Sequence, residues 1–366
     1  MSDVVRPVEL SAALSGLVHI CRKSGERFDL VQAGGGNASF RSADQRLYVK
    51  GSGLMLSEVT DRSFAELDNN ALLEVVSDLS QRWENLPYSE LEKIAQEATM
   101  KACRNEQRPS IEALSHAVLG PFTLHTHPVA VMSLVCRPDW QSRAREILPS
   151  AHLLPYTTPG ILLALSLYTV SHGAFAFDAP MIALIQNHGL FVAARSAEES
   201  FEVTNYVVET ISAGLGMNLS RYVICNEVSN LVFAATGIEL CAYLCGDAEL
   251  IELIKVRPEA VLCRSAVPDH AVYCGPDALV LESLDDQRPI VDYVEAYRQA
   301  PKVVLFGSHL FFLGANVRKC MEVQEVLKAH ALALKEILPL TPVHHLEQSE
   351  VARLLNWEAE RYRQQQ

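Results

Sequence analysis

Gly120-Pro121-Phe122-Thr123-Leu124-His125-Thr126-His127-Pro128 is the stretch on which the reading of this chain turns. An apolar run ends in two histidines one residue apart, and a proline stops it. Side chains at i and i+2 of a β-strand share a face, so His125 and His127 are expected to point the same way and to grip one divalent ion. Glu112 lies upstream and Asn187-His188-Gly189 downstream. The set forms a candidate three-histidine site with a carboxylate beside it, which suits an open catalytic centre better than a closed structural one.

Working outward, Pro109-Ser110-Ile111-Glu112 opens a short helix to about Val118, and Ser89-Glu90-Leu91-Glu92 is a capping-box start for a helix to about Cys103. Residues 8–24 read as a helix on the spacing of Leu10, Leu14, Leu17, Val18 and Cys21. Ala33-Gly34-Gly35-Gly36-Asn37 is a glycine turn entering a strand. Arg46-Leu47-Tyr48-Val49-Lys50 is a second strand, ended by Gly51-Ser52-Gly53, so the two make a hairpin. Downstream, the pattern predicts a helix over 160–173, an apolar strand over 181–186 and a long helix over 196–216.

That last strand–turn–helix has an echo. Residues 181–192 align without a gap on residues 302–313, which puts His309 on His188, and a helix over 315–337 follows. Glu202-Val203 and Glu322-Val323 then match one residue out of step. The repeat suggests duplication. The second copy has neither the His-X-His nor the glycine–asparagine turn, so it reads as a degenerate lobe. The expected domains are 1–225 and 226–366, divided inside 220–232, with a helical tail after Pro342.

The 366 residues suffice for two domains, and 49% hydrophobic content supports sizeable cores. A net charge of −13 speaks against nucleic acid as a partner. Met1-Ser2-Asp3 opens no signal segment, and the longest apolar runs, such as Gly160 to Val170, are too short to span a bilayer. A soluble, cytoplasmic protein is expected. Nine scattered cysteines without a Cys-X-X-Cys suit reduced, mostly buried thiols, with Cys241 and Cys245 on one helix face.

Neutral imidazoles bind zinc and related ions well. Three of them leave positions where the ion acts as a Lewis acid, and a carboxylate in reach moves a proton beside the polarised carbonyl. That pairing suits an enediolate. Glu112 equally suits the positive end of a helix. His116, at i+4, shares its face and either orients the carboxylate or packs. Gly34-Gly35-Gly36-Asn37 matches neither the Walker loop nor the dinucleotide fingerprint. With Ser52-Gly53 and Ser110 it forms either plain turns or an anion pocket of backbone N–H groups. His270, in Pro268-Asp269-His270, and His309 read as structural, and His344-His345 as solvated.

Gly36-Asn37-Ala38-Ser39, Lys50-Gly51-Ser52-Gly53, Pro109-Ser110-Ile111-Glu112, His125-Thr126-His127-Pro128, Pro155-Tyr156 and Asn187-His188-Gly189-Leu190 occur in the order of the class II aldolase/adducin family, which the chain resembles over about residues 8–216. The Ser-Ile-Glu-Ala-Leu-Ser-His form and the 89–104 helix look closest to the aldolase part of rhamnulose-phosphate aldolase/dehydrogenase-like proteins. Those also carry a Pro-Asp-His element in a second lobe, and no dinucleotide glycine motif for the dehydrogenase is found here.

The resemblance implies a three-layer α/β/α fold with a largely antiparallel central sheet, plus a smaller degenerate aldolase-like C-terminal lobe. It implies zinc or another divalent metal on His125, His127 and His188, with Glu112 as acid/base. Gly36, Asn37, Ser52, Gly53 and Ser110 would hold the substrate phosphate. The implied activity is a class II aldehyde-lyase that cleaves or forms a C–C bond of a small phosphorylated keto-sugar through a metal-stabilised enediolate. A homo-oligomer, dimer or tetramer, is implied, and neither nucleic acid nor membrane as a partner. The alternatives are a sugar-phosphate epimerase, decarboxylase or dehydratase of the same family, or a non-catalytic adducin-like scaffold. Adducin-type domains lack the histidine ligands. In one departure, residues 137–150 contain Trp140 but no tyrosine, where fuculose-phosphate aldolase carries a tyrosine acid lent by a neighbouring subunit.

Overall fold

The computed structural model describes residues 7–171 and 179–356. The chain divides into two compact units, Met1–Leu219 and Ser220–Gln366. Among the described residues, no helix is long and apolar enough to cross a membrane.

The first unit is built on seven strands: β1 (Asn37–Arg41), β2 (Arg46–Lys50), β3 (Phe64–Asp68), β4 (Phe122–Thr126), β5 (His152–Leu154), β6 (Met181–Ile185) and β7 (Gly189–Ala194). Its helices are α1 (Pro7–Gly25), α2 (Asn69–Arg82), α3 (Tyr88–Ala102), α4 (Ala113–Ala117), α5 (Val129–Val135), α6 (Trp140–Ile147), α7 (Ile161–Ser171) and α8 (Ala197–Gly214). The sheet order is β3-β2-β1-β4-β7-β6-β5, antiparallel throughout except for the β5–β6 pair. Strand alternation sorts the side chains into two cores. Leu47, Val49, Ala183, Ile185, Phe191 and Ala193 face α2, α3, α4 and α7. Ile182, Leu184, Leu190 and Val192 face α5, α6 and α8, while Ala38, Tyr48 and Leu124 face α1. The result is the expected three-layer α/β/α arrangement.

Several expected elements shift slightly. The helix expected over 160–173 is Ile161–Ser171, and residues 172–173 lie outside the described residues. The short helix starts at Ala113, with Glu112 as its N-cap residue. Ser196 caps α8 by accepting from the Glu199 N–H.

The second unit contains α9 (Ser220–Thr236), α10 (Ala248–Val256), α11 (Pro258–Val261), α12 (Pro268–Cys274), α13 (Arg288–Tyr297), α14 (Val317–Ile337) and α15 (Gln348–Asn356). Its strands β8 (Cys241–Leu244), β9 (Leu279–Leu281), β10 (Val303–Phe306) and β11 (His309–Gly314) order as β8-β11-β10-β9. Their senses are antiparallel, antiparallel and parallel. This repeats β4-β7-β6-β5 strand for strand. Helices also line both faces, with α10, α12 and α14 on one core and α9 and α13 on the other.

The echo therefore reflects a shared architecture, but the ungapped alignment needs one correction. Ile185 pairs with Gly189 across a three-residue turn, whereas Phe306 pairs with His309 across two residues. His309 thus corresponds to Gly189, and His188 occupies the turn residue that the second unit lacks. A further correction concerns Cys241 and Cys245. Cys241 opens strand β8 and Cys245 follows it, both buried as free thiols.

Candidate metal centre

Register across three adjacent strands starts the site. Asn37 on β1 pairs with His125 on β4, and His125 pairs with Phe191 on β7. The Phe191 ring stacks on the His125 imidazole at 3.8 Å between centroids, 11° from parallel. His125 is fully buried, and its Nδ1 lies 2.9 Å from the Leu190 carbonyl oxygen. A carbonyl only accepts, so Nδ1 carries a proton and Nε2 is the ring nitrogen turned toward the other histidines. The backbone of β7 thus fixes both ring orientation and tautomer.

His127 lies one residue beyond the end of β4, yet its Nε2 comes within 3.1 Å of His125 Nε2. Two glycines make room for it. A Cβ on Gly189 would lie 2.8 Å from His127 Cδ2, and one on Gly35 would lie 3.1 Å from His127 Nδ1. Burial, then the neighbouring charges of His125 and His188, push the His127 imidazole down to about 4, which leaves it neutral near pH 7. His188 arrives from the β6–β7 turn, where Asn187 takes a left-handed φ of +52°. The three imidazoles offer ligand atoms within 4.8 Å of one another.

Glu112 reaches this cluster from the start of α4. Its Oε1 is 3.4 Å from Nε2 of both His125 and His188. Burial alone would raise its pKa, but the charge and hydrogen bonds of His125 and His188 outweigh it and hold the carboxyl well below the usual range. The donor set fits a divalent ion. Two nitrogens 3.1 Å apart lie within the span of ligands that each sit about 2.0–2.1 Å from one ion, and three imidazoles beside a carboxylate suit zinc and its neighbours.

The residues expected to hold an anion are only partly gathered. Asn37 Nδ2 donates to Ser110 Oγ at 2.6 Å, and Ser110 Oγ accepts from the Glu112 N–H at 3.2 Å. Asn37, Ser110 and Glu112 therefore form one chain of contacts. Gly36, at φ +75°, backs onto β4, where a Cβ would lie 3.1 Å from the His125 carbonyl oxygen. The Ser52 N–H donates to the Arg108 carbonyl, and Ser52 and Ser110 share a cavity of about 420 Å³ with Arg108 and Met100. Gly53, at φ +86°, has open space where a Cβ would be. His116 is fully buried against Ser39 at 2.8 Å and pushed down to about 3 by burial.

Three supports have roles that the sequence reading does not assign, although Lys50 and Leu190 fall within quoted motifs. Phe191 and the Leu190 carbonyl act through strand register, and Lys50 ties the Gly51-Ser52-Gly53 loop by donating to the Leu54 carbonyl at 2.6 Å. Phe191 carried a readable signal only as one more apolar strand residue. Trp140, in the segment that lacks a tyrosine, is core at 3% exposure and offers no acid.

A model of the class II aldolase and adducin N-terminal domain matches residues 15–214, more than half of the chain. The uncharacterized oxidoreductase YuxG of Bacillus subtilis (strain 168) is 25% identical over 218 residues, covering 57% of this chain and 30% of that one. This chain therefore spans under a third of that curated relative. The N-terminal class II aldolase domain of a conserved Thermoplasma acidophilum protein is 22% identical, with a TM-score of 0.49, over 59% of this chain and 99% of its own. L-fuculose-1-phosphate aldolase from Thermus thermophilus is 15% identical, with a TM-score of 0.38, over 56% and 93%. On the family match, the chain belongs to the class II aldolase and adducin N-terminal domain family.

Proposed function

We propose that this chain is a metal-dependent lyase that makes or breaks a C–C bond beside the carbonyl of a small phosphorylated keto-sugar. The observation that carries this reading is the ionised Glu112 carboxylate 3.4 Å from the Nε2 atoms of both His125 and His188. A base and a metal-ligand set meet at one point. Zinc or another divalent ion on His125, His127 and His188 supplies Lewis acidity when bound, drawing electron density from the substrate carbonyl.

The chain's own groups do the rest. In the synthetic direction Glu112 takes a proton from the carbon beside the carbonyl, that carbon's electron pair attacks the aldehyde carbon, and the aldehyde oxygen takes a proton from water. In cleavage the hydroxyl loses its proton to water, the C–C bond breaks to an aldehyde and an enediolate, and Glu112, having taken up a proton from water, delivers it to the enediolate carbon. Gly36, Asn37, Ser52, Gly53 and Ser110 hold the phosphate, and the Asn37–Ser110–Glu112 contacts tie that grip to the base.

Metal-loaded protein given a panel of ketose phosphates should release dihydroxyacetone phosphate from one of them. Glu112→Gln should lower kcat by roughly 10²–10⁴ with metal content kept. A fully loaded protein that releases triose phosphate from none of the panel sinks the lyase reading. The buried Trp140 and the missing tyrosine in 137–150 favour a second reading, in which the same site epimerises, decarboxylates or dehydrates a sugar phosphate. Turnover of a sugar-acid phosphate without C–C cleavage to a triose selects it.

A further inference from the structure

The second unit has a pocket of about 690 Å³ whose charge runs against that of the chain. Arg298, Lys302 and Lys319 line it with Glu322 as its single acid, in a protein of net charge −13. Lys319 is spoken for, with Nζ 3.1 Å from Glu322. Lys302 Nζ has the Val272 carbonyl at 2.8 Å and, among the described residues, no carboxylate. The Arg298 guanidinium has neither hydrogen bond nor ion pair among the described residues. Gln299, also in the wall, has a buried Nε2 without an acceptor among the described residues. Burial lowers the pKa of Lys302, so its bare charge is costly and an anion alongside would offset that cost. The pocket lies at the start of the 21-residue helix α14, whose dipole adds positive potential.

These charges are not inherited from the repeated hairpin. By register Lys302 corresponds to Met181, a core residue. Lys319 and Glu199 each donate their N–H to the capping side chain of their helix, so Glu199 is its counterpart. The first unit thus places a thioether and an acid where the second places two ammonium groups. The rest of the wall is apolar, with Leu240, Tyr273 and Val323 among its residues.

We propose that this pocket binds a small organic anion, its phosphate or carboxylate head on Arg298 and Lys302 and its apolar body against Leu240, Tyr273 and Val323. Titrating the full chain with phenyl phosphate, benzoate and phenol by calorimetry tests this. At least one of the two anions should bind saturably, and phenol should not. R298Q and K302M should each weaken that binding by about tenfold or more. Arg298 is exposed and unpaired among the described residues, so R298Q decides the matter if K302M misfolds. Ser110→Ala, in the first unit, should leave this binding unchanged, which separates it from the proposed substrate site. The proposal is overturned if neither anion binds up to about 10 mM, if phenol binds equally well, if R298Q binds like the wild type, or if Ser110→Ala abolishes binding.

Discussion

A methyl group on Gly189 has nowhere to go: its Cβ would lie 2.5 Å from the Thr126 carbonyl oxygen and 2.8 Å from His127 Cδ2. The carbonyl belongs to β4 and cannot yield, so the His127 ring or the β6–β7 turn must move. Gly189→Ala should therefore cost about 1–3 kcal/mol of stability and lower metal stoichiometry together. Denaturant melts and elemental analysis of the purified variant check it; full metal content in a stable variant would show that the contact relaxes freely. His125, His127 and His188 are legible at this scale because histidine is scarce, at 12 residues in the chain, and two of them share a strand face; Glu112 is legible as a carboxylate at a helix start. Gly189 and Gly35 were legible only as turn residues. Their closeness to His127 arises from β4–β7 pairing and the loop before β1, which local spacing does not encode.

The decisive element is the β6–β7 hairpin. Its turn is Gln186-Asn187-His188, and the second unit closes the same hairpin with Gly307-Ser308 alone. The shorter version shows that this architecture folds without the extra residue. Deleting Asn187 should thus preserve the sheet, with far-ultraviolet circular dichroism close to wild type, while His188 swings out of the cluster and metal content falls. Retention of one ion per chain in that deletion would mean that His188 is not a ligand. The first strand and the following helix of each repeat, and the β1–β2 pair, are readable from apolar periodicity and turn glycines, whereas the return strands β7 and β11 are not separated from their turns by that pattern. The ungapped alignment is one residue out beyond the turn, because sequence matching does not weigh the strand pairing that fixes register. Strand β3 and helix α2 went unread. The buried Leu72, Val76 and Leu79 of α2 follow helical spacing, but Ser77, Asp78 and Ser80 around Leu79 also favour turns.

At the scale of the whole molecule, the two units carry separate cores and different chemistry, so they should respond differently to chelator and to acid. A divalent ion that binds only the folded first unit stabilises it by mass action. A chelator should lower the melting transition of that unit and leave the other in place. Acid should act on both. Burial pushes His116 down to about 3 in the first unit, and His270 down to about 3 in the second, where it stacks on His330 at 3.9 Å. An unfolded imidazole takes up its proton near pH 6.5, whereas these take theirs only near pH 3. Between those values the unfolded chain holds more protons, so stability rises with pH. It is complete above about pH 6.5 and is lost as pH falls toward 3, by up to about 1.4 kcal/mol per pH unit for each group. His270→Gln removes one such group from the unit that carries none of the proposed metal ligands. Denaturant melts between pH 7 and 4 should show its acid slope reduced by about that amount, with chelator still without effect on the transition. An unchanged slope would mean that His270 finds a proton acceptor in the folded state, and that the acid sensitivity of the second unit lies elsewhere.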